Sequence, residues 1–137
     1  DFAVGSPSLG AGVVRVFSGV DGSLLLDLDG PSAGSQFGRV HTGIGDVDGD
    51  GHGDLLVGAE GLGQAIVVSG ASGAALRTHV SAGIANYGFG VGALGDVSGD
   101  GVPDYAIGGG VGPTGRVDAR SGADGTVLYS VTASGTS

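Results

Sequence analysis

Between residues 46 and 54 the chain reads Asp46-Val-Asp48-Gly-Asp50-Gly-His52-Gly-Asp54, and fifty residues later Asp96-Val-Ser98-Gly-Asp100-Gly-Val102-Pro-Asp104. Oxygens at positions 1, 3 and 5 converge when the backbone turns tightly, the glycines permit that turn, and position 9 returns a carboxylate from the next element. A backbone carbonyl at position 7, from His52 or Val102, adds one more oxygen. Such a shell of hard oxygens is what calcium takes. Four carboxylates crowded into nine residues would repel one another strongly without a cation. The second loop has three carboxylates and the Ser98 hydroxyl at position 3, so weaker binding is expected there. Two calcium sites are therefore expected, at Asp46, Asp48, Asp50, His52 and Asp54, and at Asp96, Ser98, Asp100, Val102 and Asp104.

Other metals fit less well. An EF-hand needs a bidentate Glu at position 12 and flanking helices; position 12 here is Val57 or Ile107, within an apolar run. Zinc calls for Cys or His; the chain has no cysteine, and His52 is expected to offer only its carbonyl. Magnesium keeps more of its water.

The elements that must hold these loops repeat. Asp46 falls on Asp96, Phe37-Gly38 on Phe89-Gly90, and Asp54 to Gly58 on Asp104 to Gly108 and back onto Asp1 to Gly5, a period of 50 to 52 residues. A phrase Ser-Gly-x-x-Gly recurs from Ser18, Ser69 and Ser121. The apolar runs are short, β-branched and punctuated by glycine, which reads as strand and turn. Four strands per repeat are expected. The first spans Phe37 to Ile44 or Phe89 to Leu94; the second Asp1 to Gly5, Asp54 to Ala59 or Asp104 to Gly108. The third spans Val13 to Ser18, Gln64 to Ser69 or Arg116 to Ser121; the fourth Leu24 to Asp29, Ala75 to Ser81 or Val127 to Thr132. Ser-Gly-x-x-Gly is then the hairpin turn between third and fourth strands, where glycine supplies a positive φ. The count is eleven strands.

Four strands per roughly 50-residue repeat is the pattern of a β-propeller blade. The expected fold is all-β: antiparallel four-stranded blades, about 2.75 of them, forming a partial propeller or a self-assembling subunit. Residues 1–36 would be an incomplete blade, and 37–88 and 89–137 full blades with one calcium loop each. Phe37 and Phe89 are expected to pack between blades. Because a propeller closes with about four to eight blades, the expected partners are the remaining blades of a longer chain or further copies of this one.

Composition narrows the function. Thirteen Asp and one Glu against five Arg and no Lys leave a net charge of −9, which excludes a cation-rich nucleic-acid surface. No stretch approaches the roughly 18 apolar residues of a membrane-spanning helix. Glycine is 33 of 137 residues, but a mean hydropathy of +0.31 argues for a packed core rather than disorder. The start shows neither Met nor a signal segment, so the chain reads as a mature form or a fragment.

The order Phe-Gly, Gly-Asp-Val-Asp-Gly-Asp-Gly-x-x-Asp, a short apolar strand ending Gly-Ala, and a Ser-Gly hairpin resembles the FG-GAP repeat of integrin α-subunit propellers and of many bacterial secreted proteins. The resemblance extends over essentially the whole chain. It implies a calcium-stabilised propeller at the cell surface or outside the cell, acting in adhesion or in binding a protein or glycan ligand. It carries the metal role onto the ten loop residues named above. The first repeat keeps only Asp1 of its loop, which alone cannot hold calcium.

No catalytic residues are expected. A Ser-His-Asp triad lacks any nucleophile-elbow phrase. His41 reads as a channel-facing or packed residue on an inner strand, and His79 as a solvated residue on an outer strand. Glu60, the only Glu, reads as a surface loop residue and gives no carboxylate pair for glycoside hydrolysis. Tyr87, Tyr105 and Tyr129 read as edge or inter-blade packing. The leading reading is a non-catalytic binding, adhesion or self-assembly module. The alternative is the propeller part of a secreted polysaccharide-active enzyme or lectin.

Overall fold

The computed structural model describes residues 1–111 and 113–135; residues 136 and 137, the end of the third expected blade, lie outside them. Among the described residues there are eleven strands in three antiparallel sheets. The first sheet orders β1 (Phe2–Ser6), β2 (Val13–Phe17) and β3 (Leu24–Asp29). The second orders β4 (His41–Gly45), β5 (Asp54–Ala59), β6 (Gln64–Val68) and β7 (Ala75–Val80), and the third β8 (Gly90–Gly95), β9 (Asp104–Val111), β10 (Thr114–Arg120) and β11 (Val127–Ser134). A 3-10 turn over Glu60–Leu62 is the one helical element among the described residues, and none is long and apolar enough to cross a membrane. The fold is all-β, as the alternating apolar runs require.

Each sheet is a meander of sequential neighbours, so every connection is a short turn. In the Ser-Gly-x-x-Gly hairpins the last glycine carries the positive φ, +73° at Gly22, +75° at Gly73 and +78° at Gly125. The first glycine has another use: a Cβ at Gly70 or Gly122 would overlap the carbonyl oxygen of Gly53 or Pro103, so the hairpin can close on the start of the second strand only without a side chain.

The sheets stack face on face through two apolar clusters. Val14 and Leu28 of the first sheet pack with Leu55, Val57, Ile66 and Val68 of the second. Ile44, Leu56, Ala65 and Val67, from the opposite face of the second sheet, pack with Tyr105 and Ile107 of the third. Alternation along a strand puts odd and even residues of β5 on opposite faces, and both are buried, so after Asp54 this strand is apolar.

The first strands begin later than expected, at His41 and Gly90, because the residues before them form a tight turn. Gln36 and Asn86 take a left-handed conformation, the aromatic that follows turns inward, and Gly38 or Gly88 then donates to the carbonyl of Gly58 or Gly108. The inserted ring is Phe37 between the first two sheets, and Tyr87 between the second and third. Phe89 was expected in that role but is exposed, with Arg39 over its ring.

Candidate metal centre

Both acidic loops lie at the turn between the first and second strands of a four-stranded sheet, at the same end of the molecule. In the first loop, Asp46 accepts from the backbone N–H of Gly49 (2.6 Å) and Gly51 (2.9 Å), Asp48 from that of Asp50, and Asp50 from that of His52. These bonds curl the loop inward, and oxygens of Asp46, Asp48 and Asp50 lie within 4.8 Å of one another. Oxygens that share one calcium ion at about 2.4 Å can be at most about 4.8 Å apart, so the triad fits such an ion. Asp46 is held below the usual carboxylate range, first by the Gly51 N–H. Asp48 is pushed up, chiefly by desolvation and further by its neighbours Asp54, Asp50 and Asp46. A divalent cation would relieve that repulsion.

Asp54 sits apart from the triad in its bonding. It is buried; one oxygen accepts from Val47 N–H (2.8 Å) and the other from Gly70 N–H (2.9 Å). It thereby ties the loop to the next hairpin. Each carboxylate oxygen keeps a second lone pair, so the residue can serve as strut and ligand together. The His52 side chain is exposed, in keeping with a contribution through its carbonyl alone.

The second loop repeats this scaffold with one charge fewer. Asp96 accepts from Gly99, Asp100 and Gly101, and Asp100 from Val102. Asp104 is fully buried and accepts from Val97, Ser98 and Gly122. Burial alone would raise its pKa, but those bonds together hold it below the usual value. Ser98 Oγ stands 3.4 Å from Asp96 and 3.5 Å from Asp104, so it faces the loop interior. Among the described residues, only the first loop brings three acidic groups into a cluster of this kind. Asp1 makes the same strut in the first sheet, accepting from Gly19 N–H at 3.0 Å.

Two expectations about other residues need correction. His79 is buried, not solvated: its Nε2 lies 2.8 Å from the Tyr105 hydroxyl, under the third sheet. Burial, then Arg120 and Arg77, lower its pKa to about 4. Glu60 is buried rather than on the surface, because the 3-10 turn folds it under Arg39, whose Nη1 donates at 2.6 Å. Tyr129 is exposed, whereas Tyr87 and Tyr105 are buried between sheets. His41 is packed as expected, with its ring nitrogens near the carbonyls of Gly38 and Ala3.

The sequence reading missed a polar cluster beneath the third sheet. Buried Asp118 accepts from Arg116 Nε (2.7 Å), Ser130 Oγ (2.7 Å) and the Tyr87 hydroxyl (3.0 Å), and Arg120 lies beside it. The alternation Arg116-x-Asp118-x-Arg120 was its visible signal, since residues two apart share a face of a strand. These bonds tie β10 to β11 and to the inserted Tyr87 ring, so Asp118 reads as a structural anchor of the third sheet.

No protein-family model and no curated protein matches this chain. The fold and site therefore define it by architecture: three stacked antiparallel sheets with two acidic turn loops at one end.

Proposed function

We propose that the chain is a non-catalytic, calcium-stabilised segment of a β-propeller that acts outside the cell in adhesion, ligand binding or self-assembly. The observation that supports this best is the first loop, where backbone N–H groups hold three carboxylates as close as one calcium ion would need them. The FG-GAP resemblance supplies the extracellular setting and the adhesive role. The sheets are blades in this reading, and the remaining blades come from a longer chain or from other copies.

Calcium's role here is structural. Asp46, Asp48, Asp50, Asp54 and the His52 carbonyl would hold one ion, and Asp96, Ser98, Asp100, Asp104 and the Val102 carbonyl a second, weaker one. Bound ions offset much of the loops' negative charge, and the Asp54 and Asp104 struts pass that order to the hairpins at Gly70 and Gly122. A ligand that binds only the folded state stabilises it by RT ln(1 + [L]/Kd). Millimolar calcium should therefore raise the melting temperature above its value in excess chelator; identical melting curves would refute the reading. The alternative, the propeller of a polysaccharide-active enzyme or lectin, would show turnover or retention on a panel of polysaccharides.

A further inference from the structure

The stack contains the same interface twice, and its two outermost faces are the unmatched halves of a third. The struts from Asp1, Asp54 and Asp104 to the hairpin glycines fix which residues correspond between sheets. On that register Phe2 and Val4 of β1 correspond to Leu55 and Val57 of β5, and to Tyr105 and Ile107 of β9. In the second and third sheets these residues are buried against the preceding sheet. In the first sheet they are bare: Phe2 is 52% and Val4 50% exposed, against 8% and 0% for Leu55 and Val57.

The far side of the third sheet is the other half. Val97 and Val117 correspond to Val47 and Ala65, which the third sheet covers to 6% and 0% exposure; here they are 53% and 44% exposed. Val131 occupies the position of His79, which touches Tyr105, and of Leu28, which lies in the first cluster. The hairpin contact repeats as well. A Cβ at Gly73 would meet Leu28, one at Gly125 would meet Arg77 and His79, but one at Gly22 would meet nothing.

We infer that a second copy of this chain docks head to tail, its first sheet covering the exposed face of the third sheet. Phe2 of one copy then meets Val131 of the next, as Tyr105 meets His79 within the chain, and the Gly22 hairpin rests on β11. The inference rests on reading the sheets as propeller blades. A head-to-tail contact closes only if its rotation returns to the start. Three sheets fall short of the about four to eight of a closed propeller, whereas two copies give six, within that range. The assembly is a closed pair, with the two three-stranded sheets opposite each other.

Sedimentation equilibrium in saturating calcium tests this with the 137-residue chain. The expected mass is about 26 kDa, twice the 12.9 kDa of one chain. Val131→Asp and Phe2→Arg, both at exposed positions, should each give a monomer with an unchanged circular dichroism spectrum. An equimolar mixture should regain the double mass, because one of its two contacts then pairs Arg with Asp and the other is wild type. A wild-type monomer or an open-ended polymer would overturn the inference. So would Val131→Asp leaving the pair intact while Phe2→Arg dissolves it, since that marks a face-to-itself contact. Failure of calcium to change melting would instead overturn the reading of the loops, and leaves the mass as a separate result.

Discussion

Mild acid should weaken this fold before the buried carboxylates Asp104 and Asp118 titrate, and the weakening should belong to His79. Its imidazole is 7% exposed, sits against Tyr105, and has Arg77 and Arg120 nearby, so burial and then the two cations keep it neutral down to about pH 4. The unfolded chain takes up that proton near 6.5. Between those values the unfolded state binds the extra proton, so stability falls as pH drops from 6.5 towards 4 and levels off below. A gap of that size, at about 1.4 kcal/mol per pH unit, amounts to roughly 3 kcal/mol. That is a large share of the 5–15 kcal/mol typical of a domain. Asp104 and Asp118, whose folded values lie below 3.8, contribute only at lower pH. Urea unfolding from pH 7.5 to 4.5, in saturating calcium at fixed protein concentration, measures the effect. His79→Gln, which can still hydrogen-bond Tyr105 but does not titrate, should flatten most of the slope. A slope undiminished in that variant, or a His79 resonance titrating at 6.5 or above, would refute the reasoning.

Two further outcomes follow from the loops. The calcium-induced rise in melting temperature should shrink more in Asp50→Ala than in Ser98→Ala, since the first removes a charged ligand and the second a neutral one; equal losses in the two melts would contradict the ranking. Asp104→Ala should lower stability by about 3 kcal/mol in chelator as well as in calcium, because it strands the N–H groups of Val97, Ser98 and Gly122. Urea midpoints in both conditions would show this, and a loss seen only with calcium would reduce Asp104 to a metal ligand.

What was legible in the sequence was whatever depends on near neighbours. Period-two alternation and the Ser-Gly-x-x-Gly turns give eleven strands because a strand and its hairpin are set within about ten residues. The loops were equally visible, since all their oxygens come from nine consecutive residues. The aromatic wedge was misplaced because matching letters suggested Phe89, whereas backbone geometry selects Tyr87. Both Phe37 and Tyr87 stand nine residues before the first Asp of their loop, a constant spacing that the Phe-Gly match obscures. His79 and Glu60 were misjudged for another reason: each is buried by groups more than twenty residues away, Tyr105 and Arg39. Strand position alone does not say which face another sheet will cover.

Calorimetric titration of the chelator-treated chain with calcium at neutral pH tests the central claim most directly. Two sites should appear, the tighter one lost when Asp46, Asp48 and Asp50 are all changed to Asn, with dissociation constants of about 10⁻⁴ to 10⁻³ M as in extracellular modules. No saturable binding at millimolar calcium, or binding undiminished in the triple variant, would contradict it.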